Sequence, residues 1–208
     1  MRLARVAVDL LRPVPVGTLT ARTRTVRAGK RVALLETVLE SAGREVLQAK
    51  GWRIATSGDA PVITRGGEAP PMPGSEAAPT FPGGHLDGYM AAIDWRFAFG
   101  SFDQPGPSQA WGRARIPLIE GEELSPMSRT LLIGDSGSGV SSALDPSRYL
   151  FINVDLTVVL HRDPVGEWIL LDALTTMGGT GTGLAETLLS DQSGVCGTGM
   201  QTLLIAPR

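Results

Sequence analysis

The chain has 208 residues, of which 42% are hydrophobic and 19% charged, so it is long enough and apolar enough to bury a core. Lys+Arg number 19 and Asp+Glu 21, for a formal charge of -2, which gives no electrostatic grip on nucleic acid or on an anionic membrane. One cysteine, Cys196, excludes a disulfide framework and fits a cytoplasmic setting; with only His85 and His161 beside it, a structural zinc site has too few ligands. No run approaches the ~18 apolar residues of a membrane-spanning helix.

The first third reads as strand. Residues 3–11 are rich in Val and Leu, and 18–28 alternate Thr with Arg and Ala. Two further runs, 31–41 and 45–55, flank a turn at Ser41-Ala42-Gly43-Arg44. Together they predict a four-stranded antiparallel meander over 1–56. Residues 57–86 hold Gly66-Gly67, Pro70-Pro71 and Pro82-Gly83-Gly84 with few large apolar groups, and read as a linker to a second unit at 87–208.

That second unit opens with strand-like runs at 89–99 and 109–119. Ser125 then suits an N-cap and Pro126 a first helical position, predicting a helix that runs through Gly134, Gly137 and Gly139 to about Ser142. Strands are expected at 149–161, 167–177, 183–191 and 196–206.

The chain also repeats itself. Val6-Ala-Val-Asp9-Leu10, Arg12-Pro13 and Val16-Gly17 return as Ile152-Asn-Val-Asp155-Leu156, Arg162-Asp-Pro164 and Val165-Gly166. Leu34-Leu-Glu36-Thr37-Val-Leu39 returns as Leu184-Ala-Glu186-Thr187-Leu-Leu189. The order is kept, which points to a duplication. The copies are unequal: a strand pair and the helix precede Asp155, whereas eight residues precede Asp9.

A helix laid on an antiparallel sheet and repeated within one chain is a double hotdog, an α+β fold, here with a first hotdog that lacks its helix. Trp111-Gly-Arg-Ala-Arg-Ile-Pro117, Leu150-Phe-Ile-Asn-Val-Asp155-Leu-Thr-Val, Leu160-His161-Arg162-Asp-Pro164 and Glu167-Trp168-Ile-Leu-Leu resemble the acyl-CoA thioesterase II family. Asp9-Leu-Leu-Arg12-Pro13-Val-Pro-Val-Gly17 and Trp52-Arg53 are similar to its actinobacterial-type members. The resemblance implies hydrolysis of an acyl-CoA thioester to a carboxylic acid and CoA without metal or organic cofactor. It also implies a catalytic Asp, hydroxyl and Gln, carried onto Asp155, Thr176 (or Thr175, one residue away) and Gln201. The family's His-Arg-Pro reads His161-Arg162-Asp163-Pro164 here, and the His-Gly-Gly-type segment of the first hotdog has no counterpart.

This chemistry suits the residue types. A carboxylate can take a proton from water while a hydroxyl and an amide orient it. Alternation places Ile152, Val154, Leu156, Val158 and Leu160 on one face of their strand, and Asn153, Asp155 and Thr157 on the other. The competing reading sets Asp155 on a solvated sheet face. Two rival functions are a catalytically silent acyl-binding protein and an enoyl-CoA hydratase; the hydratase would want a His near the helix, where none lies. A homodimer is expected, because a missing helix leaves apolar sheet uncovered.

Other signals read as misleading. Gly134-Asp135-Ser136-Gly137-Ser138-Gly139 looks like the nucleophile loop of trypsin-like proteases, but only His85 precedes it. Gly178-Gly-Thr-Gly-Thr-Gly183 lies between strands and opens no helix, so it is a turn rather than a phosphate cradle. Cys196 has no neighbouring His and reads as packing. Asp9 reads as structural.

Overall fold

The computed structural model describes residues 1–64, 69–75 and 88–208. His85 and much of the expected linker lie outside the described residues. Eleven strands, β1 (Arg2–Leu10), β2 (Thr20–Arg27), β3 (Val32–Ser41), β4 (Arg44–Ile54), β5 (Ile93–Ser101), β6 (Gln104–Ala114), β7 (Tyr149–Asn153), β8 (Asp155–Leu160), β9 (Ile169–Met177), β10 (Thr182–Asp191) and β11 (Gly194–Pro207), join one sheet. Three helical pieces accompany them: α1 (Tyr89–Ala92), α2 (Pro126–Gly134) and α3 (Gly137–Val140).

The sheet order is β2-β3-β4-β1-β8-β11-β10-β9-β6-β5, with β7 also paired to β11. The expected meander is therefore corrected at its first strand. β1 pairs with β4 and β8, not with β2. Pro13, Pro15 and Gly17 fill the connection after β1, so no tight hairpin returns the chain beside it. The β3–β4 turn is tight as predicted, with Ala42 at φ 48° and Gly43 at φ 73°, the pair of positive values that a twisted two-residue hairpin needs.

The two repeated segments lie side by side. β1 runs antiparallel to β8, and Asp9 stands opposite Asp155 in that ladder. On either side of this pair the order is matched: β4, β3 and β2 lead away from β1, as β11, β10 and β9 lead away from β8.

α2 and α3 lie on one face of the sheet, against β6 and β8–β11. The main core forms between them, from Trp95, Met127, Ile133, Val158, Leu160, Ile169, Leu171 and Leu189 among others. Burying such side chains contributes roughly 1.5–3 kcal/mol each. On the opposite face, Trp111, Trp168 and Leu170 are covered by Ala69 and Met72, two residues of the expected linker. Arg96 stacks on Trp168 at 4.6 Å and donates to the Pro73 carbonyl at 3.1 Å, closing this cover.

Two expected elements are interrupted, and both interruptions bear on function. The Ser125 cap forms as predicted, its Oγ accepting from the Ser128 amide at 3.1 Å. The helix does not run on to Ser142, however. It stops at Gly134, and Ser136, at φ -79° and ψ 1°, separates it from the short α3. Glycines at 134, 137 and 139 supply too little helix propensity to carry the turn through. The strand expected over 149–161 breaks at Val154, whose amide donates to the Thr202 carbonyl while its own carbonyl accepts from the Leu10 amide.

Candidate active site

The break between α2 and α3 projects Asp135 from the helix end. Its Oδ1 accepts from Asn153 Nδ2 at 3.0 Å and from Gln201 Nε2 at 3.3 Å. Gln201 is buried, with 2% of its surface exposed, and its amide is fully used. Nε2 donates to the Asp135 carbonyl at 2.9 Å, and Oε1 accepts from the Ser138 amide at 2.9 Å. One side chain on β11 thus bridges the backbone on both sides of the helix break. Asp135 Oδ2 receives no hydrogen bond from the described residues. Solvent reaches this carboxyl, yet the surrounding protein strips enough water from it to raise its pKa; the hydrogen bonds from Asn153 and Gln201 only partly offset that.

Asp135 lines a cavity of about 480 Å³. The remaining walls are nearly all aliphatic: Leu131 and Leu132 of α2, Leu156 of β8, Val8 and Leu10 of β1, Leu47 of β4, and Leu118. Tyr89 closes one side; its hydroxyl donates to the Leu132 carbonyl at 2.7 Å and lies 2.8 Å from Ser136 Oγ, tying α1 to the helix break. Burial is the main reason that the Tyr89 phenol is pushed up to about 12, so it stays protonated as a donor.

Gln201, Ala185 and Thr175 are register partners on β11, β10 and β9, and all three face the helices. Thr175 Oγ1 lies 2.8 Å from Ser141 Oγ, which donates its only proton to the Gly137 carbonyl at 2.8 Å. Thr175 must therefore be the donor to Ser141. This relay braces α3 from the far side of Gln201. Gly137 is pressed close: a Cβ there would stand 2.5 Å from Thr187 Oγ1 and 3.2 Å from Gln201 Oε1.

The residues expected from sequence are not all brought together. Gln201 lies in this cluster, and Asp155 and Thr176 do not. Asp155 sits on the opposite face, where Oδ1 accepts from the Thr202 amide at 2.5 Å and Oδ2 from Thr202 Oγ1 at 3.2 Å. Its carboxylate fills the gap that the Val154 break leaves in the β8–β11 ladder. Thr176 is exposed on that same outer face, and Thr175 is the threonine that points inward. The expected alternation holds from Leu156 to Leu160, which are buried at every second position, and fails before the break. Ile152 and Val154 are 48% and 44% exposed, while Asn153 turns inward to Asp135. An irregularity of this kind shifts the phase of a period-two pattern.

Sequence reasoning missed Asp135, Asn153 and Tyr89. A signal for Asp135 was present, an acidic residue set among glycines and serines inside an expected helix, where such residues need a reason. Among the described residues no group of His, Cys, Asp and Glu could hold a metal ion.

Comparison with known proteins gives a consistent picture. The acyl-CoA thioesterase C-terminal domain family matches residues 67–205, and the acyl-CoA thioesterase N-terminal domain family matches residues 1–54. A search of curated proteins found no sequence match. Among solved structures, acyl-CoA thioesterase II TesB2 from Mycobacterium marinum superposes with TM-score 0.71 at 16% identity, over 100% of this chain and 81% of that one. A conserved hot dog fold protein from Alicyclobacillus acidocaldarius gives TM-score 0.73 at 16% identity, over 99% and 79%. A tesB protein from Mycobacterium avium subspecies paratuberculosis gives 0.71 at 12% identity, over 99% and 79%. The fold is that of the hotdog proteins, and no helix among the described residues is long and apolar enough to cross a membrane. The chain belongs to the acyl-CoA thioesterase family and is a thioester hydrolase.

Proposed function

We propose that the chain hydrolyses acyl-CoA to a carboxylic acid and CoA, with Asp135 as the base that activates water. The observation that carries this reading is the Asp135 carboxyl itself. One oxygen is held by Asn153 and Gln201, the other receives no hydrogen bond from the described residues, and the residue lines a largely apolar cavity. A water bound at Oδ2 gives up a proton to Asp135 as its oxygen attacks the thioester carbonyl carbon. The tetrahedral intermediate then collapses, the carbon–sulfur bond breaks, and the thiolate leaves to be protonated as CoA. A carboxyl raised by its surroundings is a better base near neutral pH than a solvated one.

Gln201 acts by holding Asp135 and the Ser138 amide at fixed positions, and Thr175 acts through Ser141 on α3. In this reading both are positioning residues, and Asp155 and Thr176 carry no catalytic role. The matched strand orders on either side of the β1–β8 pair support a double hotdog, with a first half that contributes sheet but no chemistry.

The test is release of free thiol from a panel of acyl-CoAs by the wild-type chain, Asp135→Asn and Asp155→Asn. Turnover lost in the first variant and kept in the second supports the assignment. Turnover lost only in Asp155→Asn overturns it.

A further inference from the structure

The sheet face turned away from the helices carries an aromatic platform that the hydrolysis does not use. Arg96, Trp111 and Leu170 are register partners across β5, β6 and β9 and form one row. Trp168, just before β9, is stacked by two guanidiniums, Arg96 at 4.6 Å and Arg113 at 4.9 Å. Arg113 is itself held by Asp94 at 2.7 Å and Glu167 at 3.4 Å, so charge pairs on the sheet fix the platform. Above it runs Ala69-Pro70-Pro71-Met72-Pro73-Gly74. Ala69, Pro70, Met72 and Pro73 are half-buried, while Pro71 and Gly74 are exposed. Inward pairs separated by one outward residue repeat every three residues, the period of a polyproline II helix, and the prolines hold φ near the value it needs. Ala69 and Met72 pack on Trp111, Trp168 and Leu170, and Arg96 donates to the Pro73 carbonyl at 3.1 Å. An apolar ridge laid on aromatic rings is how Pro-x-x-Pro segments are recognised. One donor goes unused: Trp111 is 1% exposed, and its Nε1 is buried without a hydrogen-bond partner. A buried N–H left unpaired is costly.

We propose that this platform is a recognition groove for proline-rich segments, filled in the resting chain by residues 69–73 and taken over by a Pro-x-x-Pro segment of a different polypeptide. The unused indole decides between a foreign segment and the strap of a second copy. A second copy presents the same sequence and leaves Trp111 Nε1 as unpaired as before. A foreign segment that keeps the Pro-x-x-Pro ridge and brings an oxygen to Trp111 Nε1 gains a hydrogen bond that the strap does not make. The strap is tethered and competes at an effective concentration on the order of millimolar. It therefore keeps weak ligands out, and a segment that gains at Trp111 displaces it. Docking here holds a partner on the sheet face opposite the helices and leaves the cavity at Asp135 open.

The experiment uses the full chain as wild type and as the triple variant Pro70→Gly, Met72→Ser and Pro73→Gly, which keeps the length and empties the groove. Each protein is checked for a single cooperative thermal transition. The probes are a synthetic peptide with the sequence of residues 69–75, the same peptide carrying Pro70→Ala and Pro73→Ala, and a panel of Pro-x-x-Pro peptides varied at their other positions. Binding is read by calorimetry, and the Trp111 indole N–H by nuclear magnetic resonance. The strap peptide is expected to bind the triple variant more tightly than wild type by about tenfold or more, and the alanine peptide to bind neither. Adding Arg96→Gln to the triple variant should weaken the strap peptide about tenfold. At least one panel peptide is expected to bind wild type more tightly than the strap peptide does and to shift the Trp111 indole resonance. Met72→Ser alone opens the strap more gently; an intermediate affinity there keeps the test valid if the triple variant loses its fold. Failure of every proline-rich peptide to bind the opened variants would overturn the groove. Panel peptides that never exceed the strap sequence, with the Trp111 resonance unmoved, would overturn the foreign partner. So would a wild-type dimer that the opened variants do not form, which would give the groove to the strap of a second copy.

Discussion

Gln201 Nε2 stands 2.9 Å from the Asp135 carbonyl oxygen and 3.3 Å from Asp135 Oδ1, so a single buried amide on β11 fixes both the main chain and the side chain of the acid at the helix break. The same amide's oxygen takes the Ser138 N–H at 2.9 Å, on the other side of Ser136. Gly134 and Ser136 leave the helix free to break here, and Gln201 decides how the broken ends are held. Function and local stability are therefore coupled at this pair.

Asp135→Asn keeps an oxygen to accept from Asn153 and Gln201 but can no longer take a proton. Thiol release is expected to fall by about 10²–10⁴-fold, the usual worth of a general base. The folded-state pKa of Asp135 is raised above its unfolded value near 3.9. Its stabilising share is thus complete below that unfolded value and is lost as pH rises through the folded one. The asparagine variant, with no charge to form, is expected to melt no lower than wild type at pH 7 and relatively higher than at pH 4. In the wild-type pH–rate profile, kcat/KM rises along a limb above the ordinary carboxylate range.

Gln201→Glu retains an acceptor for the Ser138 amide and loses the donor to Asp135. A second carboxylate then faces the first, which favours the protonated form of Asp135. The rising limb of the pH–rate profile is expected to move to higher pH, with activity recovering at the alkaline end. Gln201→Leu would lose activity at every pH. A limb that stays in place in Gln201→Glu would remove Gln201 from contact with the base.

Neighbouring threonines give opposite expectations. Thr176→Val, on the outer face, should leave kcat/KM within twofold. Thr175→Val deprives Ser141 of its donor and is expected to cost about 1 kcal/mol of stability, together with a fall in kcat at constant KM. Denaturant melts and steady-state kinetics on the two variants check both statements.

At Gly137 there is no room for a side chain. Gly137→Ala would push a methyl group into Thr187 Oγ1 and crowd Gln201 Oε1, displacing the amide that holds Asp135. Activity is expected to drop more than tenfold. Because the closest obstacle is one hydroxyl, adding Thr187→Ala should restore part of the loss; an unrescued double variant would put the constraint in the backbone instead.

Away from the site, Asp191 anchors the β10–β11 hairpin. Both of its oxygens accept from Arg162, at 2.5 and 2.7 Å, and the Val165 and Ser193 amides donate to it at 2.7 Å each. Burial alone would raise this carboxyl, but Arg162 and the two amides outweigh it and hold it below the usual range. Its stabilising share is present above the unfolded value near 3.9 and is lost as pH falls through the folded value. Arg162→Leu, which strands a buried carboxylate, is expected to cost about 3 kcal/mol in urea melts at pH 7. Asp191→Asn should flatten the acid limb of the stability curve.

The sequence by itself determined most of the strands, the Ser125 cap, the repeat and the family. Each of these is written in local patterns: alternation in Thr20–Arg27, a cap residue before a proline, and one ordered set of motifs met twice. Gln201 was legible only through the family resemblance, which implies a Gln on the last strand. The tertiary structure decided which carboxylate and which threonine share the site. The family resemblance left Thr176 and Thr175 one residue apart, and in β9 Leu174 is 45% exposed while Ala173 and Thr175 are buried, so Thr175 is the one that faces the helices. Val154 breaks the preceding strand, and one irregular residue there exchanges the faces of everything before it. Side-chain orientation in a strand has a period of two, so its phase depends on a single residue. That phase is set by hydrogen bonds to β11 and β1, partners that lie far away in the chain.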